Sequence, residues 1–202
     1  MGSTLGGGEA LLSDFRLVLA SASIAVFLGI LLVPTGQRLF AAGIGYFQIH
    51  RSTGKLVMRL ASPAGFRAIR RSVRTPSLKH LRGFTQDRGV GWGVLVANCL
   101  AQALIVVGVL ASLYAGFLNP EYRVTASQLS AVVNGFATIL LFALIDPQLS
   151  VMTDDVVEGR IAEARFRRTI VWISISRLVG TLLAQALFVP SAQAVAWIAN
   201  YV

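Results

Sequence analysis

The chain has 202 residues, of which 55% are hydrophobic and 13% charged, and its mean hydropathy is +0.69. Soluble domains usually carry about 25% charged residues, so this balance argues against an ordinary soluble enzyme and for an all-α, polytopic membrane protein. The formal charge of +9 would suit nucleic acid if spread over a polar surface. Here eleven Lys and Arg against one acid, Asp87, fall in a block between Pro34 and Gly89, flanked by hydrophobic runs. A bilayer accounts for such a block better, because cytoplasmic loops collect Lys and Arg and are drawn to anionic headgroups. Anionic membrane lipids are therefore expected partners, and nucleic acid is not.

Taken in order, residues 1–16 are Gly-rich and polar and read as a disordered or surface start. With Arg16 the only basic residue ahead of the first apolar run, a signal peptide is not expected. The first span is expected over about 17–33, with Ser21, Ser23 and Gly29 suited to helix contact and Pro34-Thr35 as its end. Residues 37–88 are too polar to span and too apolar for a free linker. They read as interfacial amphipathic helices, one starting at Ser62 as N-cap with Pro63 at its first position and ending at Thr75-Pro76. Arg38, Arg51, Arg67, Arg70, Arg71 and Arg74 form the headgroup-attracting basic face. Span two is expected over about 90–118. It carries Cys99, read as a packing residue, and Asn98 and Gln102 four apart on one face, whose amides need partners in lipid.

Span three, about 126–149, repeats Ser130, Asn134 and Thr138 every fourth residue and comes round towards Asp146. Pro147 is expected to kink or end the helix beside that carboxylate. The segment 152–168 reads as a solvated, salt-bridged turn in which Thr153-Asp154-Asp155 caps a short helix. Its carboxylates lack a His partner or calcium-loop spacing, so no metal site is expected. Span four, about 169–189, places Ser174, Arg177, Thr181 and Gln185 on one face. Pro190 begins a last segment with Trp197 and Tyr201 as interface anchors. The chain reads as a single membrane domain over 1–202. The two Arg-bearing connections lie on one side if the spans alternate, which puts them in the cytoplasm and both termini outside.

Asp146 and Arg177 then fall at similar depths on adjacent antiparallel helices. Two roles compete for them: a structural pair that sets helix register, or capture of an anionic headgroup by the guanidinium. The candidate translocation residues are Asp146, Arg177, Asn134, Thr138, Thr181, Gln185, Asn98 and Gln102. His50 and His80 have no partner motif, and no P-loop, nucleophile elbow or metal-ligand spacing occurs. Neither catalysis nor a cofactor is expected.

Several strings carry a resemblance. They are Gly108-Val-Leu-Ala-Ser-Leu-Tyr-Ala-Gly116, Leu118-Asn-Pro120, Thr125-Ala-Ser127, Asn134-Gly-Phe-Ala-Thr138, Ile145-Asp-Pro147 with Leu149-Ser150, Met152-Thr-Asp-Asp-Val156, Glu158-Gly159, Phe166-Arg-Arg168, and Arg177 with Gly180-Thr-Leu-Leu-Ala-Gln185. Upstream, Pro34-Thr35, Gln37-Arg38 and His50-Arg51-Ser52 continue it. Together they resemble the Amj-type lipid II flippase family, the alternative to MurJ, from about Asp14 onward. The resemblance implies transfer of undecaprenyl-pyrophosphoryl-MurNAc(pentapeptide)-GlcNAc, lipid II, to the outer leaflet of the bacterial inner membrane for cell wall synthesis. It also implies that the family's one or two N-terminal hydrophobic segments are replaced here by Met-Gly-Ser-Thr-Leu-Gly-Gly-Gly-Glu-Ala. Four helices make a thin cage for so large a headgroup, so a homo-oligomer or further helices are expected. A membrane scaffold that binds anionic lipids or cell-envelope partners without transport is the competing reading, and it requires the polar faces to be packed and dry.

Overall fold

The computed structural model describes residues 2–50, 54, 58, 62–72 and 89–201, in which the regular structure is entirely helical. The helices are α1 (Gly2–His50), α2 (Pro63–Ser72), α3 (Trp92–Leu118), α4 (Arg123–Leu140), α5 (Asp146–Val157) and α6 (Glu163–Ala199). Short turns join them: a 3₁₀ turn over Pro120–Tyr122 and a π turn over Leu141–Ile145. Four stretches are long and apolar enough to cross a membrane: Gly8–Gly36, Trp92–Leu118, Pro120–Val157 and Ala164–Ala199. The chain is thus an all-α, multi-pass membrane protein. It divides into two units, Met1–Val26 with Phe84–Val202, and Phe27–Gly83.

In the larger unit α3 is central, packing extensively on both α6 and α4. Its buried positions are mostly small, including Ala97, Ala101, Gly108, Ala111 and Ala115, while Val96, Leu100, Val109 and Leu113 are exposed. That inversion of a soluble core is what lipid permits. Large side chains gain nothing by leaving a hydrocarbon solvent, and small ones let helix backbones approach. A Cβ built on Gly180 of α6 would stand 2.5 Å from the Cys99 carbonyl oxygen, and one on Gly108 would stand 2.7 Å from Asn134 Oδ1. One apolar cluster joins Leu19 of α1, Val107 and Tyr114 of α3, and Phe188 of α6. Phe15 completes it edge-on, with ring centroids 6.2 Å from Tyr114 and 5.8 Å from Phe188.

Several boundaries differ from expectation, most of them at prolines. A helix runs from Gly2, where a disordered start was expected, and α1 and α6 continue through Pro34 and Pro190. Proline is tolerated within membrane helices because neighbouring groups and small local adjustments satisfy the freed carbonyl. Nor does Pro147 end the third crossing. The Asp146 N–H donates to the Leu141 carbonyl five residues back, so a π turn absorbs the missing proline donor and α5 carries on. Thr153-Asp154-Asp155 consequently lies inside α5 and caps nothing at an N-terminus; Thr153 Oγ1 donates to the Leu149 carbonyl at 2.7 Å. The N-cap at Ser62 is present, with Gly65 N–H donating to its Oγ at 3.3 Å; Thr75-Pro76 lies outside the described residues.

The turn between α5 and α6 is closed by Gly159, whose φ of 74° is left-handed. Gly159 N–H meets the Val156 carbonyl at 3.1 Å and Arg160 N–H the Asp155 carbonyl at 2.8 Å, a Schellman closure. Arg160 then pairs with Asp155 at 2.7 Å and with Glu158, so the salt-bridged turn expected here is present. Substituting Gly180 with alanine should destabilise the protein by roughly 1–3 kcal/mol through overpacking. Gly135→Ala, where a Cβ meets nothing within 4 Å, should be neutral or stabilising by up to about 1 kcal/mol. Equilibrium unfolding in mixed micelles checks the pair; equal effects would remove the close α3–α6 approach as the cause.

Candidate functional site

The polar side chains expected to converge are separated by α3. Asn98 is fully buried on the α6 side. Its Nδ2 donates to the Ile173 carbonyl at 3.1 Å and to Ser176 Oγ at 2.6 Å, and Ser176 Oγ donates in turn to the Ile173 carbonyl at 2.8 Å. Asn98 Oδ1 has no hydrogen-bond partner among the described residues. Gln102, one turn on, is partly buried and packs its Cβ where Gly180 leaves space. Thr181 is fully buried and donates to the Leu178 carbonyl of its own helix at 2.8 Å; Gln185 is partly buried.

On the other face of α3, Asn134 of α4 turns its carbonyl oxygen towards Gly108, buried and without a hydrogen-bond partner among the described residues. Thr138 is exposed and donates to the Asn134 carbonyl at 2.8 Å. Asp146 and Arg177 are both exposed, and among the described residues no ion pair joins them. The expected structural pair between Asp146 and Arg177 is therefore not formed. It assumed that consecutive crossings are neighbours, whereas α4 and α6 each pack mainly on α3.

Of the basic face, Arg67 and Arg70 are exposed on α2, alongside exposed Phe66. Arg38, Arg51, Arg71 and Arg74 lie outside the described side chains. Trp197 near the end of α6 and Tyr201 just beyond it stand exposed with ring centroids 4.8 Å apart. Among the described residues no group of three or more His, Cys, Asp or Glu side chains gathers.

The sequence reading missed one feature. A cavity of about 300 Å³ lies where α1, α3 and α4 meet, lined by Leu11, Phe15, Ser112, Leu113, Phe117 and Arg123 among others. Along the sequence Arg123 falls in a short connection, and Ser112 is one of several small residues on an apolar helix. Only packing leaves the hydroxyl buried and unpaired, with no hydrogen-bond partner among the described residues.

A family model described as "Amj: Alternate to MurJ" matches residues 3–199, so the likeness begins ahead of Asp14, from which the resemblance was expected to run. The chain is similar to the protein named "Lipid II flippase Amj" of Bacillus subtilis (strain 168), with 35% identity over 193 residues, covering 93% of this chain and 70% of that protein. No solved structure matches. The Asn98–Ser176 contact should carry a coupling free energy of about 0.6–1.7 kcal/mol, the range of polar contacts between membrane helices. A double-mutant cycle with Asn98→Ala and Ser176→Ala measures it, and additive effects would reduce the contact to a packing neighbour.

Proposed function

Since the chain belongs to the Amj family, we propose that it is a flippase. Its substrate is lipid II, the polyprenyl-pyrophosphate-linked peptidoglycan precursor, carried from the inner to the outer leaflet of the bacterial plasma membrane. The observation in the molecule that best supports this reading is the exposure of Asp146 and Arg177 within helices long and apolar enough to cross a membrane. A lone carboxylate or guanidinium is expensive against lipid tails, so such groups face water, protein or a polar ligand. A guanidinium matches phosphate in bidentate fashion, which lysine does not. Arg177 is assigned to the pyrophosphate, and Asp146 to the polar lining of the same path.

Both charges point away from the α3–α6 packing, so the path is completed outside a single copy of these four crossings, by further helices or a second copy of the chain. Asn98, Gln102, Thr181 and Gln185 line the α3–α6 seam and Asn134 and Thr138 the α3–α4 side. For these residues to meet a headgroup, the seams must part during transport, because Asn134 and Thr181 are packed in the state described. That dry packing is the one observation favouring the scaffold reading. The exposed Arg67 and Arg70 on α2 attract the anionic headgroup or anionic lipids to the cytoplasmic surface. Translocation as such breaks no covalent bond, and we assign the chain no catalytic residue.

The orientation we assign puts the α5–α6 turn and the basic block in the cytoplasm and the α3–α4 connection outside. With Cys99 replaced by alanine, a cysteine at Glu121 should react with a membrane-impermeant maleimide in intact cells, and one at Arg160 only after lysis. The opposite pattern inverts the proposed direction of entry.

Function is tested by depleting the native lipid II flippase in a bacterium expressing this chain and scoring outward exposure of lipid II and survival. The wild type should sustain both. Arg177→Ala and Asp146→Ala, inserted at wild-type levels, should each lower exposure by roughly 10- to 100-fold, the loss expected from one or two charge-assisted contacts. Full activity in both variants would remove these residues from the path. Failure of the correctly inserted wild type would sink the claim that this chain suffices.

A further inference from the structure

The cavity between α1, α3 and α4 carries features that packing alone does not require. Ser112 is fully buried, lines the cavity and has no hydrogen-bond partner among the described residues. An unpaired hydroxyl in an apolar setting is costly, and it is kept where a ligand or water supplies the partner. One turn along the same face, Gly116 makes room for the stem of Arg123. A Cβ there would lie 3.0 Å from Arg123 Cγ. Arg123 Nε donates to the Gly116 carbonyl at 3.5 Å. That leaves its terminal amino groups unpaired among the described residues, and the side chain is exposed at the rim.

Arg123 is also the first residue of α4, and that helix begins without a side-chain cap. A guanidinium at the positive end of a helix dipole is unfavourable in isolation and becomes favourable once an anion sits beside both. Ser127 also lines the cavity, but its hydroxyl is engaged with the Val124 carbonyl of its own helix at 2.7 Å; the side chains of Leu11, Phe15, Leu113 and Phe117 supply apolar walls. Leu113 and Phe117 also belong to the exposed surface, at 50% and 37%, so a chain seated here passes straight into the bilayer. A water-soluble anion would gain nothing from such walls.

Size narrows the occupant. At about 30 Å³ per water-sized group, 300 Å³ holds about ten carbon-sized groups. That matches the two isoprene units nearest the phosphate of one chain, with the remainder passing into the bilayer. We propose that this cavity binds the phosphate-proximal end of a polyprenyl pyrophosphate, with the isoprenoid against Phe15 and Phe117 and phosphate oxygens accepting from Ser112 Oγ and the Arg123 amino groups. The proposal rests on the flippase reading for its substrate class. Given the orientation assigned above, it places a lipid-carrier seat on the outer-leaflet side, where the cargo is handed over after crossing.

The test uses the full chain in nanodiscs and a photoreactive farnesyl pyrophosphate carrying a diazirine on its isoprenoid. Saturable labelling of the 112–123 stretch is expected. Unlabelled polyprenyl pyrophosphate should displace the probe at roughly tenfold lower concentration than the matching polyprenol, the difference one charge-assisted contact makes. Ser112→Leu, which fills the cavity, should abolish labelling. Arg123→Gln should weaken it roughly tenfold and Arg123→Lys much less, while Arg16→Gln should leave it unchanged. Should Ser112→Leu fail to fold, the Gln and Lys variants at Arg123 carry the decision. Equal displacement by the polyprenol, equal displacement by phosphatidylglycerol, or labelling indifferent to Arg123 would each overturn the proposal. The depletion assay separates the two readings. Saturable labelling by a chain that cannot restore lipid II exposure sinks the flippase reading and keeps the site; restored exposure without labelling does the reverse.

Discussion

Close approach between α3 and its two neighbours is the constraint on which the larger unit depends. In a bilayer, lipid tails solvate leucine as well as a protein interior does, so helices associate through van der Waals contact and polar bonds that lipid cannot provide. Gly180 over the Cys99 carbonyl and Asn98 donating across to Ile173 and Ser176 are two halves of one solution. The glycine brings the backbones together. The amide then finds partners that would be out of reach across bulkier side chains, and the fully buried Asn98 becomes an adhesive instead of a liability.

That arrangement sorts the polar residues of the crossings into two classes. Asn98, Thr181 and Asn134 are held in the seams around α3, while Thr138, Asp146 and Arg177 face outward. Outward-facing charge at membrane depth is a statement about surroundings, because such a group is tolerated only beside water, protein or a polar ligand. The same reasoning applies in miniature at the α1–α3–α4 cavity, where a buried hydroxyl and a rim guanidinium stand over apolar walls.

Helix continuity links these features to geometry. The third crossing runs 38 residues and the fourth 36, about 57 and 54 Å at 1.5 Å per residue, well beyond a hydrocarbon core of about 30 Å. The charged turn follows at the end of the third stretch, where Arg160 pairs with Asp155 and Glu158. The π turn at Leu141–Ile145 keeps the third crossing continuous through Pro147. It also sits directly ahead of Asp146, and π turns recur at functional positions because they reorient the side chains around them.

The sequence by itself determined the fold class, the four helical stretches long and apolar enough to cross a membrane among the described residues, the salt-bridged turn and the cap at Ser62. Each depends on local composition: about twenty apolar residues for a crossing, a Ser-Pro start for a helix, and charges clustered around a glycine for a turn. A proline does not by itself mark a helix end, because whether the freed carbonyl finds another partner is settled by surrounding helices and by small adjustments of the ladder. Only the tertiary structure decided who neighbours whom. Asp146 and Arg177 match in depth along the sequence, yet α3 takes the place beside both α4 and α6. Ser112 and Arg123 were invisible for the same reason. A serine on an apolar helix and an arginine in a connection acquire meaning only when packing leaves one buried without a partner and sets the other's terminal amino groups at the cavity rim.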